Sequence, residues 1–196
     1  MAGTLTKLAG VEFATVVDRA ALPPEAMALL RGCADIGEAI AVLESAGFTT
    51  EAVRVLAHAL PKREAVWWAC MCAANTTPDD LAEPDRLARD TAELWVRQQK
   101  DEQRRAAFAH AEASGFQTPE AWSGVAAFWS GDSMSPVGLP VVPPGPGLTG
   151  TAVSGAVALA AVRGEVKRQP VRLKRFLESG RSIASGGHGR MPPEEA

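Results

Sequence analysis

Hydrophobic positions recur at helical spacing along most of the chain, and they are densest in residues 50–74. The first part of this stretch has apolar residues every three or four positions, as in a helix with one buried face. The second part is apolar nearly all round after a charged first turn. Pro61 separates the parts, because the residue before a proline is pushed out of the α region. The pattern predicts two helices, the second buried at the centre of the fold, with Trp67 and Cys70 as core residues.

The remaining hydrophobic stripes also have the helical period, and most begin or end at typical capping residues. They predict further helices at about residues 23–30, 35–46, 84–113 (with a break near Lys100), 118–129, 149–162 and 170–179. Residues 1–20 fit either a short strand or an irregular packing arm. The expected fold class is therefore all-α, either a helical bundle or a short HEAT-like helical array.

One internal echo bears on the choice between bundle and array. Residues 44–52, ESAGFTTEA, resemble residues 112–121, EASGFQTPEA, and each stretch joins one predicted helix to the next. A repeated helix hairpin would produce this echo, as in helical solenoids. A favourable helix–helix connector used twice would produce it equally well. The sequence leaves both explanations open.

Residues 130–149, SGDSMSPVGLPVVPPGPGLT, interrupt the helical pattern with five prolines and four glycines. This composition predicts an extended segment with polyproline character that crosses from one helix to the next. A docking segment for an SH3-like groove is one interpretation. The preferred interpretation is a linker packed along the body, with residues 137–142 buried and residues 143–147 exposed.

Length and composition fit one domain over residues 1–180, followed by a disordered tail over residues 181–196. A chain of 196 residues can bury one sizeable core. Gly180 is the expected end of the last helix, and the tail is rich in glycine, serine and proline. There is no apolar run of about 20 residues that would span a membrane. An odd number of cysteines and the absence of a signal-like start favour a cytoplasmic protein.

Charge is unevenly distributed although the net charge is only −3. Residues 1–162 carry 12 Lys/Arg against 19 Asp/Glu, whereas residues 163–190 carry 8 against 2. Arg168, Arg172 and Arg175 lie in this basic region and are the candidate partner-binding residues. Nucleic-acid or anionic-surface binding is the alternative, but it is the weaker one, because such proteins usually have a broader basic surface with interleaved aromatics.

Candidate catalytic chemistry is limited to His58 and Cys70, which could form a nucleophilic pair across the two central helices. No third member or oxyanion arrangement accompanies them in the sequence. Together with Cys72 they form the one cluster of soft ligands, but Cys-x-Cys spacing within a helix does not suit zinc. We therefore assign no catalytic, metal-binding or cofactor-binding residues, and an enzyme using His58 and Cys70 remains an alternative.

The phrases LAHALPKREAVWW and LTGTAVSGAVALAAV resemble an uncharacterised family of bacterial helical proteins associated with type VI secretion gene neighbourhoods. The resemblance covers about residues 35–187 and rests on hydrophobic packing signatures, so it brings no catalytic residues. It implies a helical accessory protein of a secretion apparatus. The expected function is thus that of a non-catalytic adaptor that binds another protein.

Overall fold

The computed structural model describes residues 5–194, and all regular structure in that part of the chain is helical. The all-α prediction is confirmed. The α-helices are α1 (Phe13–Ala20), α2 (Pro24–Leu29), α3 (Ile36–Ser45), α4 (Thr49–Ala59), α5 (Lys62–Asn75), α6 (Glu83–Gln98), α7 (Asp101–Ala113), α8 (Pro119–Trp129), α9 (Leu148–Val162) and α10 (Gln169–Ala184). Two short 3₁₀ turns lie at Thr6–Leu8 and Val166–Arg168. The N-terminal region thus forms a 3₁₀ turn and helix α1, so both expectations for it, a short strand and an irregular packing arm, were wrong. Residues 1–4 lie outside the described residues.

Helix α5 lies at the centre, packed against α6, α8, α9 and α10. The all-round apolar pattern predicted this position, and Cys70 is buried as expected. The core tryptophan, however, is Trp68, which is 0% exposed and donates from Nε1 to the carbonyl of Phe176 at 2.8 Å. The prediction of Trp67 as a core residue was wrong, because a helix with apolar residues on every side does not indicate which of two adjacent tryptophans faces inward. Trp67 is half-buried at the surface.

Glycine allows α10 to pack closely on the centre of the fold. A Cβ at Gly180 would lie 2.6 Å from Leu56 Cδ2 and 2.9 Å from Trp68 Cε2. The helix continues to Ala184, so Gly180 lies inside it, and the prediction that Gly180 ends the helix was wrong. The glycine is present for close approach and not for a left-handed turn.

The two similar helix–helix connectors, in residues 44–52 and 112–121, adopt the same backbone motif. Gly47 has φ of 85° and Gly115 has φ of 74°, and the next residue donates back across the helix end in both. Phe48 N donates to Leu43 O at 2.8 Å, and Phe116 N donates to Ala111 O at 3.2 Å. This is the usual glycine-ended helix terminus. The helices themselves pack as a bundle, since α9 contacts α4, α5, α8 and α10, whereas an array joins only neighbouring repeats.

Residues after α10 are packed against the body, which corrects the prediction of a disordered tail over residues 181–196. Trp67 Nε1 donates to His188 O at 2.7 Å, and Asn75 Nδ2 donates to Pro192 O at 2.5 Å. Glu194 N in turn donates to Asn75 O at 2.7 Å. We call residues 185–194 the C-terminal strap; residues 195–196 lie outside the described part of the chain.

Candidate partner-binding surface

The connection between α8 and α9 carries the densest group of exposed aliphatic side chains. Four of them fall within six residues: Val137 is 81% exposed, Leu139 59%, Val141 71% and Val142 48%. The prediction that residues 137–142 lie against the helical body was therefore wrong. We call residues 134–142 the apolar loop. Clustered exposed apolar groups commonly mark interaction sites, whereas single exposed ones are ordinary.

The backbone of the apolar loop is held in a defined shape. Leu139 N donates to Pro136 O at 3.2 Å and Gly138 has φ of 86°, which together make a turn that needs glycine at its third position. Met134 N donates to Val142 O at 2.8 Å and closes the base of the loop. Ser133 Oγ accepts from Val142 N at 3.1 Å. The loop thus presents its aliphatic side chains on a largely preorganised backbone, which lowers the entropic cost of binding.

Both ends of the connection are fixed to the bundle. Thr149 Oγ1 donates to Trp129 O at 3.1 Å, which joins the start of α9 to the end of α8. Arg104 is buried and donates to Phe128 O at 3.1 Å, and its guanidinium packs so closely on Gly131 that a Cβ there would collide with it. Arg104 lies in a stretch that is polar on all sides, so nothing in the sequence indicated its buried contact.

A second apolar feature is a groove of about 1210 Å³ between the N-terminal turn, α3 and α10. Its lining includes the aliphatic and aromatic side chains Leu5, Leu8, Val11, Phe13 and Ile36. Small residues complete the groove: Gly37 and Ala41 on α3, and Ser182 and Ser185 on α10. We call this feature the α3–α10 groove. No local pattern in the sequence indicates this groove, because its walls come from segments about 140 residues apart.

The three candidate partner-binding residues of the basic region, Arg168, Arg172 and Arg175, do not all lie on an exposed surface, as the sequence had suggested. Arg172 is buried and donates to Ala161 O at 3.1 Å and to Glu194 Oε2 at 2.5 Å. Arg168 pairs with Glu165 at 3.2 Å and approaches Glu194 at 3.5 Å. Arg175 is exposed. Arg172 therefore stabilises the fold, and its assignment to a partner-binding surface was wrong. The sequence did not indicate this, because the long side chain of an arginine beside the apolar stripe of α10 can still reach inward to a carbonyl at the end of a neighbouring helix.

His58 and Cys70 have environments that differ from those of a nucleophilic pair. Burial raises the pKa of the Cys70 thiol, whereas reactive cysteines have a lowered pKa. Burial, with Arg54 and Arg19 nearby, lowers the pKa of His58 to about 4. His58 packs against Gly150 of α9. Among the described residues, no group of three or more His, Cys, Asp or Glu side chains could hold a metal ion.

A buried ion pair that the sequence did not reveal joins α8 to the end of α9. Glu120 is 0% exposed, and both of its carboxylate oxygens accept from Arg163, one of them at 3.0 Å from Nη1. Arg163 Nη1 also donates to Thr76 O at 3.1 Å, at the end of α5. The pair therefore connects the ends of three helices. The sequence did not indicate that Glu120 is buried, because a glutamate in the first turn of a helix is usually exposed and favoured there by the helix dipole.

The fold and surface define a compact all-α protein with a preorganised apolar loop and a separate groove. The chain belongs to a family of unknown function, DUF6931, whose sequence profile matches residues 39–184. That range includes the apolar loop and α10, and it ends where the C-terminal strap begins. No functionally described protein and no solved structure shows significant similarity to the chain. Within the described residues, none of the helices has the length and hydropathy needed to cross a membrane.

Proposed function

We propose that this protein is a non-catalytic helical adaptor that binds another protein through the apolar loop. The supporting observation is that Val137, Leu139 and Val141 are each more than half exposed on a backbone closed by hydrogen bonds. Burying such side chains in a partner releases about 1.5–3 kcal/mol for each one fully covered, before the costs of association.

The partner class is a protein with an apolar recess, because the loop presents branched aliphatic groups and no charge between Ser133 and Thr149. We further propose that this partner is a component of bacterial type VI secretion machinery. That extension rests only on the resemblance of residues 56–68 and 148–162 to the helical family described above, and it has its own test in the identity of the partner.

Site-specific photo-crosslinking in the native host tests this proposal. A photoreactive residue at Val137 should capture one protein partner, whereas the same residue at Lys174 on the exposed face of α10 should not. With the photoreactive residue kept at position 137, Leu139→Asp combined with Val141→Asp should then abolish the crosslink and leave the melting temperature unchanged.

A different result would move the function to the basic region. If the photoreactive residue at Lys174 captures the partner, or if the crosslink from position 137 persists in the double loop variant, the apolar loop is not the binding surface. A salt-dependent shift on DNA that Lys174→Glu with Arg175→Glu removes would establish the nucleic-acid alternative.

A further inference from the structure

The C-terminal strap lies along α5 in a nearly extended form. Trp67 and Asn75 of α5 each donate to a strap carbonyl, those of His188 and Pro192. The two donors are eight residues apart on the helix, about 12 Å, and the two acceptors are four residues apart, which an extended chain spans in at most about 13 Å. Residues 188–194 contain no helix or turn. The strap therefore follows α5 as an extended peptide would.

The helices hold the strap mainly by its backbone. Besides the bonds from Trp67 and Asn75, Ser179 of α10 donates from Oγ to Gly189 O at 2.5 Å. The carbonyl of Asn75 accepts from Glu194 N at 2.7 Å. These backbone groups are present in nearly every residue type. Sites that bind extended peptides take their affinity from main-chain hydrogen bonds of this kind.

Three strap residues add selectivity through their side chains or the lack of one. Gly189 is buried, and a Cβ there would lie 2.9 Å from Ser179 O, so only glycine fits. Met191 is partly buried against the core. The carboxylate of Glu194 accepts from Nε and Nη2 of Arg172 at 2.9 and 2.5 Å. The surface thus selects a glycine, an apolar residue two positions later, and an acidic residue three positions after that.

The side-chain amide of Asn75 is only half used by the strap. Asn75 is 2% exposed, and among residues 5–194 no group donates to its Oδ1. In an extended chain the N–H and the C=O of one residue point to the same side, so one partner can bond to both. Asn75 Nδ2 bonds to the carbonyl of Pro192, but proline has no N–H to offer to Oδ1. The strap is therefore an incomplete ligand for the surface that it covers.

The family match separates the surface from the strap. The four residues that hold the strap lie within the matched range 39–184, and the strap follows that range. They are Trp67, Asn75, Arg172 and Ser179. The surface is thus part of the family domain, whereas the segment that covers it in this protein is not part of the match.

We propose that the surface between α5 and α10 is a peptide-binding site, and that the strap covers it as a built-in competitor. The ligand is an extended segment of a partner protein with the pattern Gly-x-apolar-x-x-acidic, in which the residue after the apolar one is not proline. That residue supplies the N–H that Asn75 Oδ1 accepts. Because the strap is tethered at a high effective concentration, only a more complete ligand displaces it. This second surface does not depend on the apolar loop.

A full-length variant with a detached strap makes the site accessible for measurement. Gly189→Val should detach the strap, because a Cβ there would lie 2.5 Å from Ile183 Cγ1 and the backbone has φ of 60°. Circular dichroism should show that the helices remain, and hydrogen exchange should show that residues 187–194 have lost protection. Glu194→Lys, which places a positive charge against Arg172, replaces Gly189→Val if that variant does not fold or keeps its strap protected.

Fluorescence anisotropy then measures the binding of labelled peptides with the sequence of residues 187–194, GHGRMPPE, to the Gly189→Val protein. One peptide carries Pro192→Ala and its matched control carries Pro193→Ala, so each loses the rigidity of one proline. Only the first gains an N–H on the side of the bonded carbonyl, because a carbonyl and the next N–H point in opposite directions across a trans peptide. The Pro192→Ala peptide should bind at least about fivefold more tightly than its control.

Two further comparisons assign the effect to Asn75 and to the strap. Asn75→Ala, added to the Gly189→Val protein, should remove the preference for the Pro192→Ala peptide, because the acceptor is gone. The wild-type protein should bind both peptides at least about tenfold more weakly than the Gly189→Val protein, because its strap competes.

Four results would overturn the proposal. They are equal affinities for the two peptides, a preference that persists after Asn75→Ala, no binding up to millimolar concentration by a protein whose strap is detached, and wild-type binding as tight as that of the Gly189→Val protein. None of these results bears on the apolar loop, which the crosslink from position 137 tests separately.

Discussion

The apolar loop and the C-terminal strap are both irregular segments, and each does the opposite of what its composition suggests. The loop is rich in valine and leucine, yet those side chains face solvent. The strap is rich in glycine and polar residues, yet it contacts α5 and α10 through at least four hydrogen bonds. Side-chain hydropathy alone therefore does not decide which irregular segment packs on a helical body.

Backbone chemistry explains the difference. Prolines remove N–H groups from the loop, and its turn and closing bonds satisfy much of the rest within the segment itself. The strap instead offers its carbonyls to side chains that need acceptors: Trp67 donates to His188 O, and Ser179 donates to Gly189 O. A Cβ at Gly189 would lie 2.5 Å from Ile183 Cγ1, so glycine is what lets the strap approach this closely.

The largest expected effect among variants that separate the two segments is at Arg172. Arg172→Ala removes the donor to two carbonyls at the end of α9 and the partner of Glu194. Since buried acceptors are left without donors, we expect the free energy of unfolding to fall by about 2–3 kcal/mol. Chemical denaturation measures it, with the exposed neighbour Lys174→Ala as the matched control. A change no greater than that of the control would show that Arg172 does not hold the strap.

A smaller loss is expected when the strap is detached at Asn75. Asn75→Ala removes the hydrogen bond to Pro192 O, for a cost of about 1 kcal/mol. The fluorescence of Trp67 should also change, because its indole stacks against Arg190 of the strap, with the guanidinium carbon 5.9 Å from the ring centre. Removing residues 185–196 should produce the same fluorescence change, and a spectrum that responds to the truncation alone would mean that Asn75 does not anchor the strap.

Acid should loosen the strap by a smaller and reversible amount. Hydrogen bonds from Arg172 lower the pKa of Glu194 below its usual value near 4.5. A lowered folded-state pKa gives stability that is complete above the unfolded pKa and is lost as the pH falls through the folded one. Glu194→Gln should thus be less stable than the wild type at pH 7, and this difference should shrink below about pH 4. Denaturation of both proteins at several pH values measures it; a constant difference would contradict the pairing.

The smallest effect on stability is expected in the apolar loop. Val137→Asp with Leu139→Asp should change the free energy of unfolding by less than about 0.5 kcal/mol, as exposed substitutions usually do. The same pair would destabilise the protein by several times that amount if the side chains were packed on the body. Thermal and chemical denaturation decide between these values.

Much of the fold followed from local rules. Helical spacing, Pro61 and the glycine-ended connectors placed most helices, and the all-round apolar pattern placed α5 at the centre. Contacts between distant segments did not follow in the same way. Neither the choice of Trp68 over Trp67 nor the pairing of Glu120 with Arg163 leaves a local signal, because each depends on a helix far away in the chain.

The sequence indicated only part of the candidate partner-binding surface. The prolines marked residues 130–149 as extended, and Gly138 after Val137 is a recognisable turn signal. Exposure was the missing part, since an extended apolar segment can lie on the body or project from it. The α3–α10 groove left no signal at all, because its residues meet only in the folded chain.

Native-state hydrogen exchange, followed by mass spectrometry, tests the contrast between loop and strap in one experiment. In residues 135–142 the amides of Val137, Gly138 and Val141 should exchange at rates close to those of an unfolded chain, whereas the bonded amides of Ser135, Leu139 and Val142 should exchange more slowly. Peptides that cover residues 187–194 should be protected, because the amides of Gly187 and Glu194 donate to Ser182 O and Asn75 O. Fast exchange at the amides of the strap, together with protection of every amide in the apolar loop, would contradict the account.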